Sequence, residues 1–167
     1  MEAQIERKQA AEELLRRRAI RSTLIDWACY YGQDKGWVPA QHHRLLLDKL
    51  QQVTDGTIKH STTGDPCRNL MFLLPPGSAK STYASVVFPA YAMGKKPGTR
   101  VILTSYASAI AWKQSRRTRQ IVKSSKYQPI FSTALMHGNQ SVEEWARTVG
   151  VTIETTTFTQ NCWLVRT

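Results

Sequence analysis

The residues best suited to chemistry are Lys80, Ser81 and Thr82, preceded by Pro75-Pro76-Gly77-Ser78-Ala79. A lysine ammonium can reach the outer oxygens of a polyphosphate, and an adjacent hydroxyl can ligate Mg²⁺. Small residues just before them let the backbone turn tightly and aim several N–H groups at one anion. A helix starting at that point adds the positive end of its dipole. Against the standard pattern G-x-x-x-x-G-K-[ST], the first glycine position holds Leu74 and the second holds Ala79, so only Lys80-Ser81 matches strictly. The competing reading is a tight Pro-Pro-Gly turn with a lysine facing solvent.

The phosphate reading is favoured by what flanks the loop. Asn69-Leu70-Met71-Phe72-Leu73-Leu74 is a short, continuous apolar run, the pattern of a strand buried on both faces. A helix is expected from about Lys80 to Met93, with Gly94 placed to end it. Further on, Arg100 to Ser105 reads as a second strand, Ser108 to Ser124 as a helix, and 151 to 158 as a third strand. Ahead of the loop, residues 2 to 31 read as a helix and a second helix begins near Pro39, burying Leu46, Leu47, Leu50 and Val53. Residues 54 to 68 read as a loop with a short strand around Thr57 to Lys59. The alternation of strand and helix predicts an α/β fold, a partial P-loop NTPase domain with a parallel sheet flanked by helices. The division expected is an N-terminal helical segment, 1–38, followed by an incomplete ATPase domain, 39–167.

The chain of 167 residues, 41% hydrophobic, is long enough for one core. No apolar run is long enough to span a bilayer, and the N-terminus lacks a secretory-signal core, so a cytosolic location is expected. Three cysteines without CxxC spacing, Cys29, Cys67 and Cys162, read as reduced thiols rather than a zinc site. The formal net charge is +11, and from Lys95 to Lys126 there are nine basic residues and no acidic one. That field suits a polyanion, either nucleotide phosphates or a nucleic-acid backbone, or is a solvated helix face. The same alternatives hold for Arg16-Arg17-Arg18.

The run Leu73 to Thr82 resembles the deviant P-loop of the large terminase subunit of tailed phages and prophages, in which a Pro-Pro pair replaces the early glycine. Pro39-Ala40-Gln41-His42-His43 resembles that family's segment before the first strand. Phe88 to Gly94, Thr104 to Ala107, the basic stretch Ala111 to Ile121, Tyr127 to Phe131 and Trp145 to Thr148 resemble later motifs, in order, across roughly 39 to 150. The resemblance implies ATP and Mg²⁺ as cofactors. Lys80 would contact the β- and γ-phosphates, Ser81 would bind Mg²⁺, and Pro76, Gly77, Ser78, Ala79 and Thr82 would complete the nucleotide cradle. Gln41 would contact adenine, and an arginine among Arg116, Arg117 and Arg119 would act in trans. It also implies double-stranded DNA, a small terminase subunit and a portal protein as partners, a homo-oligomer, and the host cell cytoplasm as location.

Phosphoryl transfer also needs an acidic residue on Mg²⁺ and a carboxylate to orient water. After Asp65 the acidic residues are Glu143, Glu144 and Glu154, and none follows an apolar strand of the required type. The nearest candidate, Glu154, reads better as a structural strand residue. The ending Phe158 to Thr167 resembles nothing in the family and reads as a truncation or a shifted frame. The expected function is therefore the ATPase portion of a DNA-packaging motor that binds ATP and turns it over weakly or not at all. The alternative is a non-catalytic basic DNA-binding or interaction fragment. A small-molecule kinase is disfavoured by the Pro-Pro loop and the lack of a basic lid with a partner acidic motif.

Overall fold

Thr23 breaks the first expected helix in two. Its backbone is extended, and its hydroxyl accepts the Asp26 N–H, which caps a new helix. The computed structural model describes residues 1–96 and 99–131, with the backbone alone of 2–3, and the backbone alone of 144–147, 151–157 and 163–166. The helices are α1 (Glu2–Ser22), α2 (Leu24–Gly32), α3 (Gln41–Thr54), α4 (Lys80–Thr82), α5 (Phe88–Lys95), α6 (Ser108–Lys123) and α7 (Gln128–Phe131). A π-helical turn, Tyr83–Val87, joins α4 to α5, and the junction residues are all right-handed helical, so helix runs unbroken from Lys80 to Lys95.

The expected α/β fold with a parallel sheet is corrected. Among residues with described side chains, 64% are helical and the single strand is β1 (Arg100–Ser105). Three backbone segments, β2 (Glu144–Arg147), β3 (Val151–Thr157) and β4 (Trp163–Arg166), join it in the order β2-β3-β1-β4, so that β3 and β4 flank β1 and β2 pairs with β3. Only β1 and β3 run parallel; β2 and β4 are antiparallel to their neighbours. The strand expected at Asn69–Leu74 does not form. A strand needs a neighbour for its backbone groups, and the N–H and C=O groups of Leu70 to Leu73 have none among the described residues. The expectations for Glu143, Thr148 and residues 158–162 fall outside the described residues. The short strand expected near Lys59 is reduced to an isolated bridge between Lys59 and Pro66.

The core is assembled around the helix that follows the loop. Trp27 of α2 is fully buried and meets Tyr127 and Phe131 edge-on, with ring centroids 5.6 and 5.1 Å apart. Its indole N–H donates to the Val87 carbonyl at 3.3 Å. Pro89 has no N–H, so the helical bond to the Ser85 carbonyl four residues back cannot form. The Thr118 hydroxyl of α6 lies 3.3 Å from that carbonyl and 3.1 Å from the Gln114 carbonyl of its own helix, and a bond to either accounts for a polar side chain at zero exposure. At the far end, Tyr91 Oη and Lys95 Nζ donate to the last carbonyls of α1, at Ser22 3.2 and 3.0 Å away. Burial pushes the Tyr91 phenol up to about 12.

Gly94 does not end the helix, which continues to Lys95. A Cβ there would sit 2.4 Å from the Phe131 ring, so glycine is required for α5 and α7 to close on each other.

Candidate phosphate-binding site

The turn that delivers Lys80 uses two left-handed residues. Gly77 has φ +83° and Ala79 φ +53°, and Ala79 is the one non-glycine residue with positive φ among those described. The left-handed state costs an L-residue about 1–2 kcal/mol, so Ala79 is held there by its surroundings. Ser78 N–H donates to the Pro75 carbonyl at 3.3 Å, and Thr82 N–H to the Ala79 carbonyl at 2.9 Å. The N–H groups of Gly77, Ala79, Lys80 and Ser81 find no acceptor among the described residues. These donors lie where the helix begins, at the positive end of its dipole.

Lys80 folds back over the loop, donating to the Leu74 carbonyl at 2.6 Å. Ser81 is exposed and Thr82 half-buried. The Ser78 hydroxyl oxygen is buried and has no partner among the described residues, an orphaned polar atom inside the turn. Pro76 is exposed on the outside of the turn. Free N–H donors, an ammonium and an orphaned hydroxyl fit a polyphosphate. For Mg²⁺ the fit is thinner. Ser81 offers a hydroxyl, and among the described residues no three His, Cys, Asp or Glu side chains gather as a metal site. Lys80 and Ser81 open onto a groove of about 1080 Å³ between α3, residues 66–73, β1 and α6, and among the described residues its one acidic lining residue is Asp55.

The first turn of α3 lies against the loop. His43 Nε2 is 2.8 Å from the Ser78 carbonyl, and its ring packs on Tyr83 with centroids 4.4 Å apart. Burial pushes the Tyr83 phenol up, and Cys29 adds to that shift. Gln41 sits in the same turn of α3, exposed and without a side-chain hydrogen bond among the described residues. His43 is a functional candidate that the sequence does not single out, since a histidine near a helix start carries no signal of what it faces.

The arginines stand apart. Arg116 is exposed, and Arg117 and Arg119 are half-buried. None lines the groove reached by Lys80, and α6 contributes Ile110, Ala111 and Gln114 there instead. The exposed stripe of α6 is Lys113, Arg116, Gln120 and Lys123, opposite its buried Ala111, Ser115, Thr118 and Val122. Other parts of the basic field have local partners. Lys126 pairs with Asp34, and Arg16 and Arg17 pair with Glu13, whose carboxyl is held below its usual range chiefly by the Arg17 hydrogen bond. Glu154 lies inside β3, opposite Ile102, with strand continuing past it. Among the described residues no helix is long and apolar enough to cross a membrane. Comparison with protein-family models, with curated proteins and with solved structures gives no match to this chain.

Proposed function

We propose that the loop Pro75 to Thr82 binds the phosphates of a nucleoside triphosphate, and that the chain is the nucleotide-binding portion of a viral DNA-packaging motor acting on double-stranded DNA. The observation that carries the first part is the left-handed pair Gly77 and Ala79, which leads N–H groups unpaired among the described residues, and Lys80, into the start of a helix. The second part rests on the order of motifs in the sequence. Lys80 exchanges its bond to the Leu74 carbonyl for the outer phosphates. The loop N–H groups and the Ser78 hydroxyl hold the inner ones, and Ser81 supplies a hydroxyl to Mg²⁺. ATP with Mg²⁺ would supply the phosphoryl chemistry. With Asp55 the one acid on the groove among the described residues, binding is expected to exceed turnover. The remaining partners, a small terminase subunit and a portal protein, a homo-oligomeric state and host-cytoplasm location belong to the same proposal.

Titration of the purified chain with MgATP, beside Lys80→Ala, tests this reading. Loss of the ammonium is expected to weaken binding at least tenfold, on the scale of a charge-assisted bond. ATP hydrolysis is expected near background for both proteins. Equal binding by the two proteins, or a robust Lys80-dependent hydrolysis rate, contradicts the proposal.

The exposed stripe Lys113, Arg116, Lys123 favours a second reading, a basic surface for DNA backbone. DNA binding that falls steeply with salt and is untouched by Lys80→Ala separates it from the first.

A further inference from the structure

We propose that His43 is a positioning residue for the phosphate loop: by gripping the Ser78 carbonyl it fixes the peptide that presents the Ala79 N–H to the anion. This rests on the phosphate-binding reading above. The ring's protonation follows from its partners. Ala40 N–H is a donor and lies 3.1 Å from His43 Nδ1, so Nδ1 carries the lone pair. The proton of the neutral ring is then on Nε2, which donates to the Ser78 carbonyl at 2.8 Å. One imidazole therefore performs two tasks. Nδ1 closes half a capping box at the start of α3, and Nε2 ties that helix to the loop.

The tie controls a specific group. In a trans peptide the carbonyl and the following N–H point in opposite directions. Holding the Ser78 carbonyl toward α3 turns the Ala79 N–H away from α3, where it has no acceptor among the described residues. Ala79 is also the strained residue of the loop, left-handed without being glycine. Rotation of the Ser78–Ala79 peptide is the simplest way to relieve that strain, and it would withdraw the N–H. His43 opposes it from outside the loop. The Tyr83 ring against the imidazole, in the turn after Lys80, keeps the histidine facing Ser78.

The two tasks are separable by substitution. In His43→Asn the amide oxygen stands where Nδ1 stood and keeps the cap, but nothing reaches Ser78. In His43→Gln the longer amide places a donor near the Nε2 position and keeps the tie. MgATP titration is expected to show about a tenfold loss of affinity for His43→Asn, the scale of one hydrogen bond. His43→Gln is expected to bind within about twofold of the parent. Amide hydrogen exchange of Ser78 and Thr82, the two hydrogen-bonded amides of the loop, gives in the free chain a readout that needs no ligand. Exchange is expected to accelerate in His43→Asn and stay near parental in His43→Gln. Parental affinity or parental loop exchange in His43→Asn overturns the inference. If the parent chain binds no MgATP yet His43→Asn still loosens the loop, the phosphate reading falls and the tie stands.

Discussion

The segments on either side of the loop share an apolar composition and have opposite fates. From Tyr83 to Gly94 nearly every residue is buried. From Asn69 to Leu74, Met71 and Leu73 are 83% and 87% exposed, while Leu70, Phe72 and Leu74 are half-buried. The difference is where the backbone bonds go. A helix satisfies its own N–H and C=O groups and asks neighbours only for apolar contact, which α2, α6 and α7 supply. An apolar run meant for a strand asks neighbours for hydrogen bonds as well. Without them it forms no ladder and covers only alternate side chains. Composition thus reports that a segment wants cover, not that cover exists.

The comparison is tested most severely at Trp27, which covers the second segment through the Val87 carbonyl, Tyr127 and Phe131. Trp27→Ala is expected to cost about 3–5 kcal/mol, enough to unfold a marginal domain. Urea denaturation followed by circular dichroism measures it. A loss below about 1 kcal/mol would mean that the helix after the loop does not depend on this aromatic cover.

A smaller effect is expected at the joint between the two segments. Ala79→Gly removes the left-handed strain and is expected to stabilise the chain by up to about 1 kcal/mol. It also restores the glycine of the standard phosphate pattern. The same urea series checks the sign: destabilisation would show that Ala79 is not strained and that the turn differs in solution.

Much of the helical part was legible because helices are specified locally. The apolar spacing at Leu46 and Leu47 marks α3, and Ala111, Ile121 and Val122 mark the inner side of α6. Even the break at Thr23 had a local signal, a threonine followed three residues later by Asp26; the even apolar spacing around it concealed the cap. Features that depend on distant partners were not legible. Gly94 reads as a helix stop, but what it serves is a ring 37 residues away in sequence, at Phe131. The pairing of β1 with segments beyond residue 143, parallel to β3 on one side and antiparallel to β4 on the other, leaves no trace in the composition of β1 itself. At the site, Lys80 and Ser81 were legible because their chemistry is in their side chains. His43 was not, because its importance lies in which carbonyl it faces.

The smallest expected effect is the most informative about the segment before the loop. Leu73 is as apolar as any core leucine, and at a buried position Leu→Ala costs about 2–5 kcal/mol. At 87% exposure it shields little surface from water, so Leu73→Ala is expected to change stability by less than about 0.5 kcal/mol. Met71→Ser with Leu73→Ser should leave stability equally untouched and raise solubility, because an uncovered apolar run beside free backbone groups invites edge-to-edge association. Light scattering of concentrated samples reads the second effect and urea melts the first. A loss of 2 kcal/mol or more from Leu73→Ala would erase the contrast between the two segments. It would mean that residues 69–74 are covered in solution, and that the loop is held from its strand-like side as firmly as from its helical one.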